Sequence, residues 1–540
     1  MRVDLIIHNA TVYTVDSAFT VAEALAVKDG RIVAVGLSRQ IIDDYRSDSV
    51  LDLKGQPVFP GFIDAHSHFI GYATTKLGAD LVGAKSFTEV VDNVAQHHRK
   101  YSEQHWIQGR GWDQNLWEDK RFPDRHRLDS LFPEHPVVLK RIDGHAALVN
   151  QKALDLAGIT TSTKVHGGII ESEAGRLTGI LIDNAVDLVT NMIPQPDVAT
   201  LMDVFQEAER DCFAVGLTGV CDAGQTLRNI LLFDSLQKAG ALSIRIYAMH
   251  DPKKDNIEFV KEHGILKTDR LNVRAFKMYA DGALGSRGAW LLEDYADAPG
   301  HRGLNTLNAD TFHLLAKLCI GKNMQMCVHA IGDGAVRMVL DSFDNYLGSE
   351  NGRRWRIEHA QVIHFLDRIR FGLLGVIPSM QPTHATSDMY WAEARLGHER
   401  LRSAYALKAL LNMTRGFVLE GPPGPMDTIQ SAECLALGSD FPVESINPLF
   451  GFFAAVGRKD QSGWPEGGWQ MENALTREQA LKGMTIWAAF AQFEENERGS
   501  IEVGKLADFV VLDRDIMTCP EIEIFRAKVL MTYLGGKRVN

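Results

Sequence analysis

The sequence lacks an excess of positive charge: 57 Lys and Arg residues stand against 69 Asp and Glu residues, a formal charge of −12 over 540 residues. A basic nucleic-acid-binding surface is therefore not expected. The sequence also lacks any run of about 20 uninterrupted apolar residues, so no segment is predicted to span a bilayer. With 45% hydrophobic and 23% charged residues, the chain is too apolar for intrinsic disorder and is expected to fold around a core.

Cysteines are few, and the six are scattered without CxxC spacing. This pattern favours buried thiols in a reducing compartment over a disulfide framework. The opening residues, MRVDLIIHNATVYTVD, alternate apolar and polar side chains and lack the charged-then-apolar layout of a signal peptide. We therefore expect a cytoplasmic protein that acts on a small molecule, without nucleic-acid or membrane partners. A homodimer is the base-rate expectation for its oligomeric state.

Eight short β-rich runs alternate with amphipathic stretches, which is the pattern of parallel strands connected by helices. The runs are 58–66, 218–222, 244–249, 273–279, 326–330, 356–359, 376–381 and 435–440. Eight such repeats indicate an α/β protein built on a (β/α)8, or TIM, barrel. We assign residues 58–495 to this barrel, which we expect to be distorted.

Both ends and two internal stretches depart from the barrel pattern. Residues 1–57 and 496–540 contain alternating runs, which we interpret as the two parts of one small β-sandwich formed by both termini. The interval from about 70 to 215 is too long for one crossover and is predicted to be a large insertion after strand 1. The segment 412–433, which contains GPPGP, is longer than an ordinary helix-to-strand turn. We interpret it as a surface loop or as a gene-model artefact.

Histidines and one aspartate recur where the predicted strands end. His66 and His68 lie two residues apart at the end of the first strand, so both imidazoles face the barrel interior and can reach one ion. His329, His359 and Asp440 hold the same position on later strands. The carboxyl ends of barrel strands meet at the active-site face. Imidazole and carboxylate are ligands that zinc and similar divalent metals accept, so the pattern predicts a metal site.

Lys277 is predicted to point towards the same axis. It shares a strand face with Val273, Ala275 and Tyr279. A charged ammonium beside bound cations is electrostatically unfavourable. The amine is therefore either neutral or converted into an anionic group.

Seven motifs along essentially the whole chain resemble the amidohydrolase superfamily: PGFIDAHSHF, DGHAALVN, FKMYADGALGSRGAW, VHAIGDGA, RIEHAQ, GSDFPVE and GSIEVGKLADFVVLD. They are most similar to the YtcJ-like branch, which includes N-substituted formamide deformylase and has the large insertion after the first strand. The resemblance implies two divalent ions, with Zn²⁺ as the expected metal. The ligands that it implies are His66, His68 and Asp440 for the first ion, His329 and His359 for the second, and carboxylated Lys277 as the bridge.

A pair of divalent ions lowers the pKa of a bridging water and polarises a scissile carbonyl. Asp440 is placed to take the proton of that water and to pass it to the leaving nitrogen. We predict hydrolysis of a non-peptide amide-type C–N bond, in a linear N-acyl or N-formyl amide, by metal-activated hydroxide. A cyclic amidohydrolase or a deaminase is the alternative that the same site supports. Outside enzymes, the alternative is a non-catalytic regulator that retains the barrel.

Six further residues are candidates for substrate binding at the barrel mouth, and each also has a structural alternative. The resemblance places Trp112, Asp113 and His145 of the insertion near the mouth, where Trp112 is able to hold an apolar group together with Trp117 and Tyr390. The structural alternatives are that Trp112 packs in a core and that His145 is a hydrogen-bonded loop residue. The remaining candidates are Asp281 and Arg287, for which loop ordering is favoured, and His384, a possible hydrogen-bond donor to a substrate oxygen.

Overall fold

The computed structural model describes residues 1–103, 105–194, 196–348, 352–414 and 433–540. Residues 415–432, which make up most of the segment interpreted as a surface loop or an artefact, lie outside the described residues. In the described ranges, no helix has both the length and the apolar character that crossing a membrane requires.

The central sheet has nine strands in the described residues. Eight are parallel, and each pairs with the next one in chain order, whereas the short strand Leu266–Lys267 pairs antiparallel with Leu271–Tyr279. The eight parallel strands are β1 (Phe62–Ser67), β2 (Leu217–Gln225), β3 (Arg245–His250), β4 (Leu271–Tyr279), β5 (Gln325–Ala330), β6 (Arg356–His359), β7 (Ile377–Met380) and β8 (Ala436–Leu437). Backbone hydrogen bonds connect the first and last strands beyond β8: Asp440 N–H donates to the His66 carbonyl, and His68 N–H donates to the Phe441 carbonyl, each at 2.8 Å. This nearly closed barrel confirms the predicted fold class.

Most helices between and after the barrel strands share one apolar core with the barrel, whereas Pro382–Asp388 and Ala392–Leu401 pack in a separate cluster with the loop after β4. Several helices begin at a residue whose side chain accepts a hydrogen bond from the first helical turn, as Thr226, Asn308 and Thr476 do. The helices are Val198–Ala214, Leu227–Lys238, Lys254–His263, Ala309–Lys322, Asp333–Asp344, Phe365–Leu373, Pro382–Asp388, Ala392–Leu401, Leu407–Met413, Pro448–Gly457, Arg477–Gly483 and Ile486–Ala491.

The predicted first strand, 58–66, is two strands in the structure. Pro57–Pro60 belongs to a terminal sheet, whereas β1 begins at Phe62. Gly61 lies between them. A Cβ at this position would be 2.3 Å from Thr218 Oγ1 on β2, so the close approach of β2 requires a glycine here. Hydrophobic periodicity does not record a change of sheet, which explains the difference. The assignment of residues 1–57, 58–495 and 496–540 to separate units stays a prediction.

Strands from both ends of the chain form two sheets beside the barrel. The six-stranded sheet has the order Lys537–Arg538, Val529–Leu534, Phe509–Leu512, Pro57–Pro60, Thr11–Tyr13 and Val21–Ala22. The four-stranded sheet has the order Arg31–Gly36, Ala24–Lys28, Leu5–His8 and Val50–Asp52. Residues of both sheets, among them Ile7, Val27 and Phe509, share one buried cluster. The β-sandwich made from both termini is therefore present.

The large insertion after β1 has its own mixed sheet, with the order Gly168–Glu173, Arg176–Asp183, Ala146–Val149, Val137–Arg141, Ile107–Trp112 and Ala79–Asp80. The helices of this region are Phe69–Thr75, Phe87–Lys100, His126–Leu131, Gln151–Leu156 and Asn184–Thr190. Two apolar clusters cover the two faces of the sheet. Leu139 lies in one cluster, and its chain neighbour Val138 lies in the other, as strand alternation requires. The insertion was predicted, and the structure confirms it.

Candidate metal centre

Asp440 lies at the centre of a polar cluster at the carboxyl ends of the barrel strands. Its Oδ1 is 3.6 Å from His66 Nε2 and 3.2 Å from His68 Nε2. Its Oδ2 is 4.0 Å from His359 Nδ1 and 3.7 Å from His384 Nε2. Two groups of side chains are therefore close enough to hold an ion, and they share Asp440. One group contains His66 and His68, and the other contains His359 and His384.

The charges of these groups suit a metal ion. Burial raises the pKa of Asp440, but its contacts with the His68 and His359 imidazoles outweigh burial and hold that pKa well below its usual range. Burial lowers the pKa of His66 to about 4 and that of His359 well below its ordinary value. Asp440 is therefore present as a carboxylate, and His66 and His359 as neutral imidazoles, the protonation states in which these side chains bind metal. In the described part of the chain, the buried His384 Nε2 has no hydrogen-bond partner, which leaves its nitrogen available.

Lys277 reaches the same centre from β4 and is fully buried. Its Nζ lies 3.2 Å from His66 Nε2 and 5.2 Å from the centroid of the Tyr279 ring. Burial lowers the pKa of Lys277, because a charged ammonium is costly where water is excluded. The neutral amine is the form that can add to carbon dioxide and become a carbamate.

Behind the cluster, Glu358 and Arg356 of β6 hold His66 in place. Glu358 forms a hydrogen bond with His66 Nδ1, and its other oxygen lies 2.7 Å from Arg356 Nε. Arg356 Nη2 also donates to the Ala65 carbonyl at 2.6 Å and to Ser379 Oγ at 2.8 Å. Because Nδ1 is engaged, Nε2 of His66 is the nitrogen left to face an ion. Burial opposes ionisation of Glu358, but Arg356 and His66 hold the pKa of Glu358 well below its usual value.

Sequence reasoning missed Glu358 and Arg356 as functional residues. The available signal was the run RIEH, in which two charged residues precede the predicted ligand His359. Asp64 was missed in the same way. It accepts hydrogen bonds from Ser439 Oγ at 2.6 Å and from His66 N–H at 3.0 Å, and thus connects β1 to the segment that carries Asp440. Burial raises the pKa of Asp64 to about 7.

His329 was predicted as a ligand of the second ion, but it lies outside both donor groups. Its Nε2 is 3.4 Å from the Gly282 carbonyl and 3.4 Å from Asp281 Oδ1. Its ring nevertheless borders the cluster, with 4.5 Å between its centroid and that of His359. His384, which was predicted to contact substrate, occupies the place beside His359. The prediction of His329 as a ligand rested on its position at the end of β5, which does not determine where the ring nitrogen points.

Asp281 and Arg287 make the contacts of loop-ordering residues. Asp281 is buried and accepts hydrogen bonds from three backbone N–H groups, those of Trp290, Ile331 and Gly332, at 2.9, 3.0 and 2.7 Å. Arg287 forms an ion pair with Asp297 at 2.9 Å. These contacts tie the loop after β4 to the end of β5.

Among the candidates of the insertion, His145 reaches the cluster. Its Nδ1 lies 2.7 Å from Asp183 Oδ1, and its ring centroid is 5.0 Å from that of His329. Trp112 is only 1% exposed and its Nε1 donates to the Leu139 carbonyl at 2.7 Å. Asp113 forms an ion pair with the buried Arg141. Trp117 is buried in the same core as Trp112. Both tryptophans therefore pack inside the insertion rather than at the mouth.

The barrel, the sandwich of both termini and the polar centre at the strand ends define an amidohydrolase-type protein. The sequence profile of the Amidohydrolase family matches residues 49–540, and the chain belongs to that family. Within it, the chain belongs to the YtcJ-like branch, because it is similar over nearly its whole length to a YtcJ protein and to N-substituted formamide deformylase.

The chain is 32% identical over 559 residues to Protein LONG AFTER FAR-RED 3 of Arabidopsis thaliana, covering 99% of this chain and 91% of that protein. It is 31% identical to the putative amidohydrolase YtcJ of Bacillus subtilis (strain 168), covering 98% of each. It is 29% identical to N-substituted formamide deformylase of Arthrobacter pascens, covering 99% of this chain and 97% of that protein. The crystal structure of an uncharacterized metal-dependent hydrolase from Pyrococcus furiosus is similar with a TM-score of 0.72 and 27% identity, covering 95% of this chain and 99% of that chain.

Proposed function

We propose that this chain hydrolyses a non-peptide amide-type C–N bond in a linear N-acyl or N-formyl amide, at a divalent-metal centre. The observation that carries the proposal is the pair of donor groups that share Asp440. The similarity to a formamide deformylase supports a linear substrate, and the similarity to a metal-dependent hydrolase supports the metal.

The residues of the cluster fit two Zn²⁺ ions. His66, His68 and Asp440 would hold the first. His359 would hold the second, together with His329 as predicted from the sequence or with His384, whose free nitrogen lies beside Asp440. Lys277, as its carbamate, would bridge the two. Bound divalent ions lower the pKa of water and polarise a carbonyl.

The chain supplies the proton transfers itself. Asp440 accepts the proton of the attacking water and delivers it to the leaving nitrogen, so that an amide and water become an acid and an amine. His145 is held by Asp183 through Nδ1, so its Nε2 would donate a hydrogen bond to the substrate oxygen when the ring is protonated. Burial lowers the pKa of His145, but Asp183 outweighs burial and raises it overall, which favours the donor form.

A substrate panel tests the reaction class. We expect turnover of N-substituted formamides and N-acyl amines, and little turnover of hydantoins, lactams or aminopurines, because a linear amide is the predicted substrate. The assay, with protein loaded with Zn²⁺, is release of amine or ammonia from the linear amides and aminopurines, and chromatographic detection of the ring-opened acid from hydantoins and lactams. Selective turnover of the cyclic compounds would favour the cyclic amidohydrolase, and ammonia release from aminopurines would favour the deaminase. Inactivity towards every class would favour the non-catalytic regulator.

Lys277→Ala is expected to lower the metal content. Native protein prepared with bicarbonate and without chelator should contain two ions per chain, and the variant one or none, because an alanine cannot form the carbamate that would hold the two ions. Elemental analysis measures this directly. The exposed Lys120→Ala variant, which removes a lysine far from any predicted ligand in the sequence, serves as the control and should keep two ions. One ion in both native protein and Lys277→Ala would contradict a bridging role.

We also propose a cellular compartment and an oligomeric state for this chain. All six cysteines are free, and five of them are buried. Free thiols throughout the chain support a reducing, cytoplasmic location. We further propose that the small-molecule substrate is the main partner and that the chain forms a homodimer, which sedimentation analysis would test.

A further inference from the structure

Arg110 and Lys140 lie side by side on adjacent strands of the insertion. The two residues are direct partners in the parallel register of Ile107–Trp112 and Val137–Arg141, so their side chains extend from the same face of the sheet. Like charges in this arrangement repel and destabilise a sheet. The repulsion between these two charges therefore lowers the stability of the sheet, and a functional role for the pair would explain why both are present.

Neither cation has an ion pair with a carboxylate of the described residues. Arg110 Nη2 donates to the Ile142 carbonyl at 2.8 Å, while its buried Nε has no partner within the described ranges. Asp187 is the acidic side chain whose charge acts on Lys140, but from beyond ion-pair distance. By contrast, Arg141, which follows Lys140 in the chain, forms ion pairs with both Asp113 and Asp143.

The Arg110 guanidinium lies against the loop that reaches the metal centre. A Cβ at Gly144 would be 3.2 Å from Arg110 Nη1, and the next residue, His145, has its ring against His329. Burial lowers the pKa of Arg110, and the carboxylates of Asp440 and Asp143 oppose that change. His68 and His145 are 29% and 19% exposed in their side chains, so this side of the cluster is open to an incoming molecule.

We propose that Arg110, with Lys140 beside it, binds a carboxylate of the substrate, so that the amides hydrolysed are anionic N-acyl or N-formyl amino acids. This proposal rests on the proposed function and adds the substrate class to it. A guanidinium presents its donors as a planar fork that matches the two oxygens of a carboxylate. In Arg110 one Nη is fixed by the Ile142 carbonyl, which pre-orients the rest of the fork.

The test uses two compounds that differ only at the proposed contact, N-formylphenylalanine and N-formylphenylalaninamide. We expect the native enzyme to prefer the acid, and Arg110→Gln to lower kcat/KM for the acid by about 10- to 100-fold, as loss of a hydrogen bond to a charged group does. The loss should appear mainly in KM, and the amide should be nearly unaffected. Arg110→Lys, which keeps the charge, should retain part of the preference.

Lys120→Gln removes one exposed positive charge of the insertion and is the matched control, which should behave as native for both compounds. Equal use of acid and amide by native enzyme, or an equal loss for both compounds in Arg110→Gln, would overturn the proposal. Thermal melting of each variant identifies a folding defect. If neither compound is hydrolysed, the substrate panel decides the proposed function, and calorimetric binding of the two compounds to native and Arg110→Gln protein decides separately whether the carboxylate is recognised.

Discussion

Asp440→Asn is expected to reduce kcat by about three to four orders of magnitude while the protein keeps its metal. An amide cannot accept the proton of the attacking water or carry it to the leaving nitrogen, and general acid–base transfer of this kind contributes about 10²- to 10⁴-fold. The substitution preserves size and one ligand oxygen beside His66 and His68. Steady-state kinetics on a formamide substrate, together with elemental analysis, measure both quantities on one preparation.

Asp222→Asn is the matched control for this prediction. Asp222 is also a buried carboxyl group on a barrel strand, but burial raises its pKa to about 7, and it accepts hydrogen bonds from Ile70 N–H and Gln225 Nε2. These two bonds end on different oxygens of Asp222, so an amide keeps one of them, and neither donor belongs to the metal cluster. We therefore expect activity within a few-fold of native, with the loss confined to stability. Native turnover by Asp440→Asn would show that another group moves the proton.

The strand ends were predictable from the sequence because strand alternation and parallel order together decide which residues meet. His66 and His68 share a face by their spacing of two, and Asp440 joins them because the end of β8 lies beside the end of β1. Repetition of the pattern over eight strands was sufficient to predict the barrel. Neither inference required a distance or a side-chain rotamer.

The rest of the site depends on side-chain contacts that the spacing of residues in the sequence does not reveal. Glu358 reaches His66 across 292 residues of sequence, from a strand that is not adjacent to β1 in the sheet. That His384, and not His329, lies in the donor group with His359 is a matter of ring orientation. The sequence is compatible with Trp112 at the barrel mouth or in a core. In the structure it packs between the sheet of the insertion and the helices that cover that sheet.

Glu358→Gln is expected to lower the free energy of unfolding by about 3–5 kcal/mol, because it leaves the fully buried Arg356 without its carboxylate. It should also weaken metal binding by about 10- to 100-fold, since a glutamine has one acceptor oxygen where Glu358 uses two, and it brings no negative charge to His66 Nδ1. Denaturant unfolding and metal titration measure the two effects separately. Glu521→Gln breaks the partly exposed pair with Lys459 and should cost less than about 1 kcal/mol.

Stability and metal affinity are expected to separate in the double variant Arg356→Met, Glu358→Leu. Replacement of a whole buried ion pair by apolar side chains of similar volume is often neutral or stabilising, so much of the lost stability should return. Metal affinity should remain low, because a leucine cannot accept the hydrogen bond from His66 Nδ1. A double variant that binds metal as tightly as the native protein would mean that Glu358 serves only to neutralise Arg356. Recovery of stability alone would mean that the same carboxylate also orients the ligand, so that the buried pair is retained for the metal centre rather than for the fold.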